Sequence, residues 1–323
     1  MRELVVTKNE AGQRFDKYLL KYLNKAGTGF IYKMLRKKNI VLNDKKANGN
    51  EILSVEDNVK LYLSEDTIIS FREDKKAGFA NKSVNGLDKR LDIIYEDDNV
   101  LLINKPCGIL SQKAQKDDIS INDIAVAYLL KNNPGKEDTT FIPSICNRLD
   151  RNTTGIIVVG KSLIGLQTMS KLFKDRTIHK YYLALVDGVI KENSLISGFL
   201  TKDSKTNKVS ISKTEKKESD YIETYYEPIK YFDNMTLLKV CLITGKTHQI
   251  RAHLSSIGHP ILGDYKYGNN KLNETIKKKC KVKSQLLHSY ILEFPKLDGE
   301  LSNLSNKTFK APIPKYWPIS MED

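Results

Sequence analysis

Apolar residues first recur at helical spacing, at Phe15, Leu19, Leu20 and Leu23, in a segment that ends near Lys25-Ala26-Gly27. A second helical stretch puts Ile31, Met34 and Leu35 inward and Lys33, Arg36, Lys37 and Lys38 largely outward. The period then changes to two. Ile40-Val41-Leu42 predicts a strand running into the turn Asn43-Asp44, and Val59-Lys60-Leu61-Tyr62-Leu63 alternates as another. Between residues 64 and 90 charged, small and glycine residues replace this pattern, which predicts a linker. Strand-like apolar stretches resume in Leu91-Asp92-Ile93-Ile94-Tyr95-Glu96 and Val100-Leu101-Leu102-Ile103-Asn104, a hairpin signal broken by Lys105-Pro106-Cys107-Gly108.

Helical spacing returns over residues 121–130 and stops at Asn133-Pro134-Gly135. Ile156-Ile157-Val158-Val159 reads as a strand, and residues 162–174 as a helix with Leu163, Leu166, Met169, Leu172 and Phe173 mostly on one side. Strands follow at residues 180–186, 221–226, 235–243 and 286–294. Residues 200–220 read as an exposed hairpin or loop, and the lysine-rich stretch 268–284 as an exposed loop. Pro312, Pro314 and Pro318 fix an extended finish. Many strands with few helices predict an α+β fold on a mixed, mainly antiparallel sheet, not a doubly wound parallel one. The expected organisation is a small α/β module at 1–63, a linker at 64–90 and a larger domain at 91–323.

Length and composition are ordinary for a folded protein: 323 residues, 40% hydrophobic and 28% charged. The charge balance is not. Fifty-three basic residues against 39 acidic ones give a formal +14, which points to a polyanionic partner; a generally lysine-rich surface is the plainer alternative. No apolar run is long enough to span a membrane, and the short apolar stretch near Met1 does not suit a signal peptide. Cys107, Cys146, Cys241 and Cys280 are scattered, which argues against a disulfide framework or zinc site and suits a reducing cytoplasm.

Candidate chemistry lies in three stretches. In Asn147-Arg148-Leu149-Asp150-Arg151-Asn152-Thr153-Thr154-Gly155 a carboxylate sits between two arginines at the mouth of a strand. Asp150 either caps a turn beside a surface arginine or faces a polyanionic substrate. In Lys180-Tyr181-Tyr182-Leu183, alternation puts Tyr182 on the face opposite Tyr181, and a strand tyrosine is more often core than catalytic. The third stretch is Thr244-Gly245-Lys246-Thr247-His248-Gln249-Ile250-Arg251-Ala252-His253-Leu254, followed by Gly258-His259-Pro260-Ile261-Leu262-Gly263-Asp264. His248 and His253 lack the His-Glu-x-x-His pattern of a zinc site. No phosphate-cradling or dinucleotide glycine loop occurs, which counts against kinases, dehydrogenases and Rossmann-type methyltransferases.

The Asp150 stretch resembles the Arg-Leu-Asp-x-x-Thr-Ser-Gly signature of the RluA family of RNA pseudouridine synthases, and the other two stretches match that family's motifs in order. The likeness covers nearly all of residues 91–320. It departs at Asn147, usually histidine, and at Thr154, usually serine; both remain polar, so RNA contacts are affected more than catalysis. Gly12, Arg14, Asp16, Leu19 and Arg36 resemble the alpha-L RNA-binding motif, an arrangement similar to the RluC-like enzymes of large-subunit ribosomal RNA. The resemblance implies Asp150 as catalytic aspartate, Arg251 as its salt-bridge partner and Tyr182 packed on the target base. Arg148 would insert into the RNA stack; Asn147, Arg14, Lys33, Arg36, Lys37 and Lys38 would contact RNA. No cofactor or metal is implied, because the reaction gains and loses no atoms. The expected partner is large-subunit ribosomal RNA or a pre-ribosomal particle, met by a cytoplasmic monomer away from membranes. A transfer RNA synthase and a non-catalytic RNA-binding assembly factor are the alternatives.

Overall fold

The computed structural model describes residues 1–73, 86, 91–132, 140–203 and 205–318. The N-terminal part runs β1 (Arg2–Val5), α1 (Phe15–Tyr22), α2 (Thr28–Arg36), β2 (Ile40–Leu42), β3 (Lys45–Lys46), β4 (Asn58–Leu61) and α3 (Glu65–Phe71). Its four strands are ordered β1-β4-β2-β3, all antiparallel. Asn43 and Asp44 both take positive φ (50° and 61°), the left-handed geometry that a two-residue hairpin turn requires. Phe15, Leu19, Ile31, Leu35, Ile40 and Val59 fill the core as the helical and alternating periods predict, joined by Tyr18 and Tyr22. Leu20 is only partly buried.

The expected linker begins too early. Ser64 caps α3, and Phe71 packs on Phe30 with ring centroids 4.2 Å apart. The Arg72 guanidinium lies 4.5 Å from the Tyr22 ring centroid. Only Ile68 of this short helix is buried, so the apolar repeat is too brief to stand out. Residues 74–85 and 87–90 of the expected linker, with the stop signal at 133–135, lie outside the described residues.

The larger part carries β5 (Ile93–Glu96), β6 (Val100–Lys105), α4 (Ile121–Asn132), β7 (Ser144–Ile145), β8 (Thr154–Gly160), α5 (Leu163–Lys174) and β9 (His179–Asp187). After these come β10 (Ser194–Lys202), β11 (Val209–Ser212), β12 (Asp220–Phe232), β13 (Met235–Leu242), α6 (Gln249–Ser256), α7 (Asn270–Cys280), β14 (Leu287–Glu293) and β15 (Thr308–Lys310). They form one sheet ordered β11-β10-β12-β13-β9-β14-β8-β6-β5, with β15 on β14 and β7 on β8. Among the described strand pairs only β8–β14 is parallel, so the mixed, mainly antiparallel sheet is as predicted.

Both faces of the central strands are buried, which explains their unbroken apolar runs. Leu101, Ile103, Ile157 and Val159 pack with Ile124 of α4 and Ile250 of α6; Val100, Leu102, Ile156 and Val158 pack with Met169 and Leu172 of α5. The first backbone N–H of α5, that of Leu163, donates to Asn9 Oδ1 (3.0 Å), which ties the N-terminal part to the larger one.

Of two expectations outside the main strands, the hairpin holds and the loop changes. The stretch 200–220 holds the end of β10 and all of β11, a real hairpin, and Ser194–Lys202 is a strand that the sequence pattern does not mark. The stretch 268–284 contains α7, not only loop. Asn269 caps it, and just Asn273 and Ile276 are buried, one of them polar, so the usual apolar stripe is missing.

Burial also sets an acid limit on the fold. His253 and His288 are buried, and burial pushes both down to about 4. Their Nδ1 atoms face Thr224 Oγ1 and Thr154 Oγ1, each at 2.8 Å. Unfolded histidine titrates near 6.5, so below that pH the unfolded chain holds more protons than the native one. Stability must then fall with pH through the window from about 6.5 to about 4, by up to about 3 kcal/mol for each residue. Urea unfolding followed across this window will show the decline, and His288→Asn will flatten it; an unchanged slope in the variant would reject the assignment.

Candidate active site

The Asp150 loop is held from three sides. Ser111 Oγ accepts from the Leu149 N–H (2.9 Å) and donates to the Leu149 carbonyl (2.7 Å). The buried Lys105 ammonium donates to the carbonyls of Pro106, Ile109 and Arg151 at 2.8–2.9 Å; burial lowers its pKa to about 8. At the start of β8, Gly155 has φ 103°, and a Cβ there would meet the Ser289 carbonyl oxygen at 2.1 Å. Glycine is required at that point.

These braces leave the Asp150 side chain one-quarter exposed, in the wall of a cavity of about 520 Å³. Arg251, on α6, donates from Nη1 to Asp150 Oδ2 at 2.8 Å, although the two residues are 101 apart in sequence. Asp264 takes the other edge of the same guanidinium, accepting from Nε at 2.6 Å and from Nη2 at 2.9 Å. His248 precedes α6 with φ 56°; its Nε2 lies 3.8 Å from Asp150 Oδ2, and its Nδ1 is 2.9 Å from the Tyr267 hydroxyl. Burial holds His248 below the usual histidine range. Tyr182 lines the cavity from β9, and burial raises its hydroxyl to about 12, so at neutral pH it presents an uncharged ring.

Five more basic residues, Arg148, Lys174, Arg176, Lys180 and Lys246, line the wall beside apolar ones such as Phe173, Leu242 and Leu287. Asp150 is the only acidic side chain among the described residues that line it. Such a site attracts a polyanion and puts one carboxylate in its path. Asp150, Tyr182 and Arg251, predicted from three separate stretches, thus meet in one cavity, with the exposed Arg148 at its rim.

Other expected residues lie differently. The Asn147 amide is engaged by β8, accepting from Val158 N (2.8 Å) and donating to the Ile156 carbonyl (3.2 Å), so it braces the loop. Arg14 pairs with Asp16 through Nε (3.1 Å) and Nη2 (3.0 Å), and this bonding holds Asp16 down at about 2. Lys33, Arg36, Lys37 and Lys38 are exposed on α2 and the turn after it, apart from the cavity.

Sequence reading assigns no site role to Lys105, Lys180 or Asp264, and weighs His248 only as a zinc ligand. Lys180 carried a usable signal, because strand alternation puts residues 180 and 182 on one face, and both line the cavity. The described residues include no cluster of three or more His, Cys, Asp or Glu side chains placed to hold a metal ion. They also include no helix long and apolar enough to cross a membrane.

Residues 99–256 match the family model described as RNA pseudouridylate synthase. An uncharacterized RNA pseudouridine synthase of Mycoplasma capricolum is 32% identical over 95% of this chain and 96% of its own. The ribosomal large subunit pseudouridine synthase C of Rickettsia bellii is 32% identical over 83% of this chain and 87% of its own. Among solved structures, human RNA pseudouridylate synthase domain containing 4 superposes with a TM-score of 0.58 at 24% identity, covering 72% of this chain and 93% of that one, a likeness of fold.

Proposed function

Because the chain belongs to the RNA pseudouridine synthase family and isomerises uridine in RNA, we propose that its substrate is large-subunit ribosomal RNA and that Asp150 is its catalytic carboxylate. The observation that carries the catalytic reading is the 2.8 Å contact between Arg251 and Asp150 in a cavity whose other charged lining residues are Arg148, Lys174, Arg176, Lys180 and Lys246. The large-subunit reading draws on relatives named for that RNA and on the exposed basic face of α2.

The isomerisation breaks the bond from ribose C1′ to uracil N1 and makes one from C1′ to C5. C5 gives up its proton and N1 gains one, so the composition is unchanged. Asp150 serves as nucleophile or base in this exchange, and both roles need an unobstructed carboxylate of fixed direction. Arg251 supplies the direction. The target uridine must leave its stack, at a cost of a few kcal/mol. Packing against the Tyr182 ring, worth about 1–3 kcal/mol per base, offsets part of that. Arg148, exposed at the rim, fills the space the base leaves, while Arg14, Lys33, Arg36, Lys37 and Lys38 engage phosphates.

Purified protein incubated with unmodified transcripts of large-subunit ribosomal RNA and of transfer RNA will form pseudouridine in the former only, read by carbodiimide-dependent primer-extension stops. Conversion confined to transfer RNA would overturn the ribosomal target, and RNA binding without any product would favour an assembly factor.

A further inference from the structure

We propose that Asp264 is a positioning residue for the isomerisation: it fixes the Arg251 guanidinium in one orientation and keeps it paired while the charge on Asp150 changes. This rests on the reading of Asp150 as the catalytic carboxylate.

The guanidinium has two edges in use. Asp264 occupies Nε and Nη2 with both carboxylate oxygens, which leaves Nη1 for Asp150. A two-pronged contact of this kind fixes the plane of the group, whereas one bond to Asp150 would let a long side chain swing. Asp264 is itself immobilised. Its Oδ1 accepts from the backbone N–H of Lys266 (2.9 Å) and of Tyr267 (3.2 Å). Its carbonyl accepts from Asn273 Nδ2 (3.0 Å) and Gly268 N (2.8 Å), and Asn273 Oδ1 accepts from Gly263 N (2.8 Å). Gly263 has no room for a side chain, since a Cβ would lie 2.2 Å from the Ser284 carbonyl oxygen. The Tyr267 ring lies 5.1 Å from the guanidinium carbon. A chain of contacts thus runs from α7 through the 263–268 turn to Arg251.

Charge gives the second reason. Asp264 is fully buried and the Arg251 side chain is 9% exposed. Whether Asp150 bonds to ribose carbon or takes a proton, it loses its negative charge during the reaction. With Asp150 as its only counter-ion, Arg251 would then be a buried cation alone, a costly state. Asp264, which takes no part in bond making, keeps the cation paired throughout.

The test is a double-mutant cycle on the full chain. Asp264→Asn, Arg251→Gln and the combination are compared by single-turnover rate at saturating RNA and by RNA affinity, with Asp150→Asn in parallel. Asp264→Asn will slow the single-turnover step by about 100-fold and leave the dissociation constant within about threefold, as expected for misplacement of a reacting group. In the Arg251→Gln background it will have almost no further effect, because Asp264 acts through that arginine. Multiplicative losses, or an Asp264→Asn rate near wild type, would overturn the proposal. If Asp264→Ala fails to fold, the near-isosteric asparagine still decides the matter. An active Asp150→Asn protein would instead overturn the catalytic reading on which the proposal stands.

Discussion

Asp150→Asn protein will bind its RNA with an affinity within a few-fold of wild type and form pseudouridine at least about 10⁴-fold more slowly, the scale of loss when a reacting carboxylate is replaced by an inert isostere. The substitution is nearly silent structurally. The remaining carbonyl oxygen can still accept from Arg251 Nη1, and the loop is held by Ser111 and Lys105, neither of which touches the side chain. What disappears is the anionic oxygen. Binding is spared because Asp150 is the acid in a basic wall, so its removal lowers repulsion against phosphate. Single-turnover conversion and filter-binding affinity, measured on one preparation, separate the two effects. Undiminished conversion would dismiss Asp150 from the chemistry.

Arg251→Ala will lose activity and stability together. Its removal leaves Asp264 buried with no cation beside it, and breaking one side of a buried pair costs about 3–5 kcal/mol. The same change frees Asp150 from its only short ion-pair contact among the described residues, so turnover should fall by about 100-fold or more on positional grounds. Arg251→Lys helps to separate the causes. A lysine restores a charge near Asp264 but cannot reach two carboxylates through one flat fork, so it will recover part of the melting temperature and little of the rate. Near-wild-type turnover by Arg251→Ala would show that Asp150 needs no such director.

The contrast between these residues explains what the sequence could reveal. Asp150, Tyr182 and Arg251 were visible because each lies in a dense local motif, and the strands flanking them have strong periods. Strands β6 and β8 were also legible, as unbroken apolar runs, although which residues meet which helix emerges only in the fold. Asp264 was invisible as a partner. It follows a glycine thirteen positions after the arginine it holds, and only the turn and α7 bring them together. Lys105 looks like any lysine ending a strand; three carbonyls converging on its ammonium are a property of the folded loop. Helices α3 and α7 escaped notice because each buries very few side chains, and α7 is anchored through the amide of Asn273. Periodicity reports apolar burial and is blind to that kind of anchor.

The placement of β14 has a consequence for how the molecule is made. This late strand lies between β9 and β8, so among the described strands β5, β6 and β8 hydrogen-bond to the β9–β13 side of the sheet only through it. Asp150 leads into β8 and Arg251 follows β13, one on each side of the gap. The backbone pairing that joins the strands leading to Asp150 and to Arg251 is therefore completed only by residues 287–293, among the last of the chain to be synthesised.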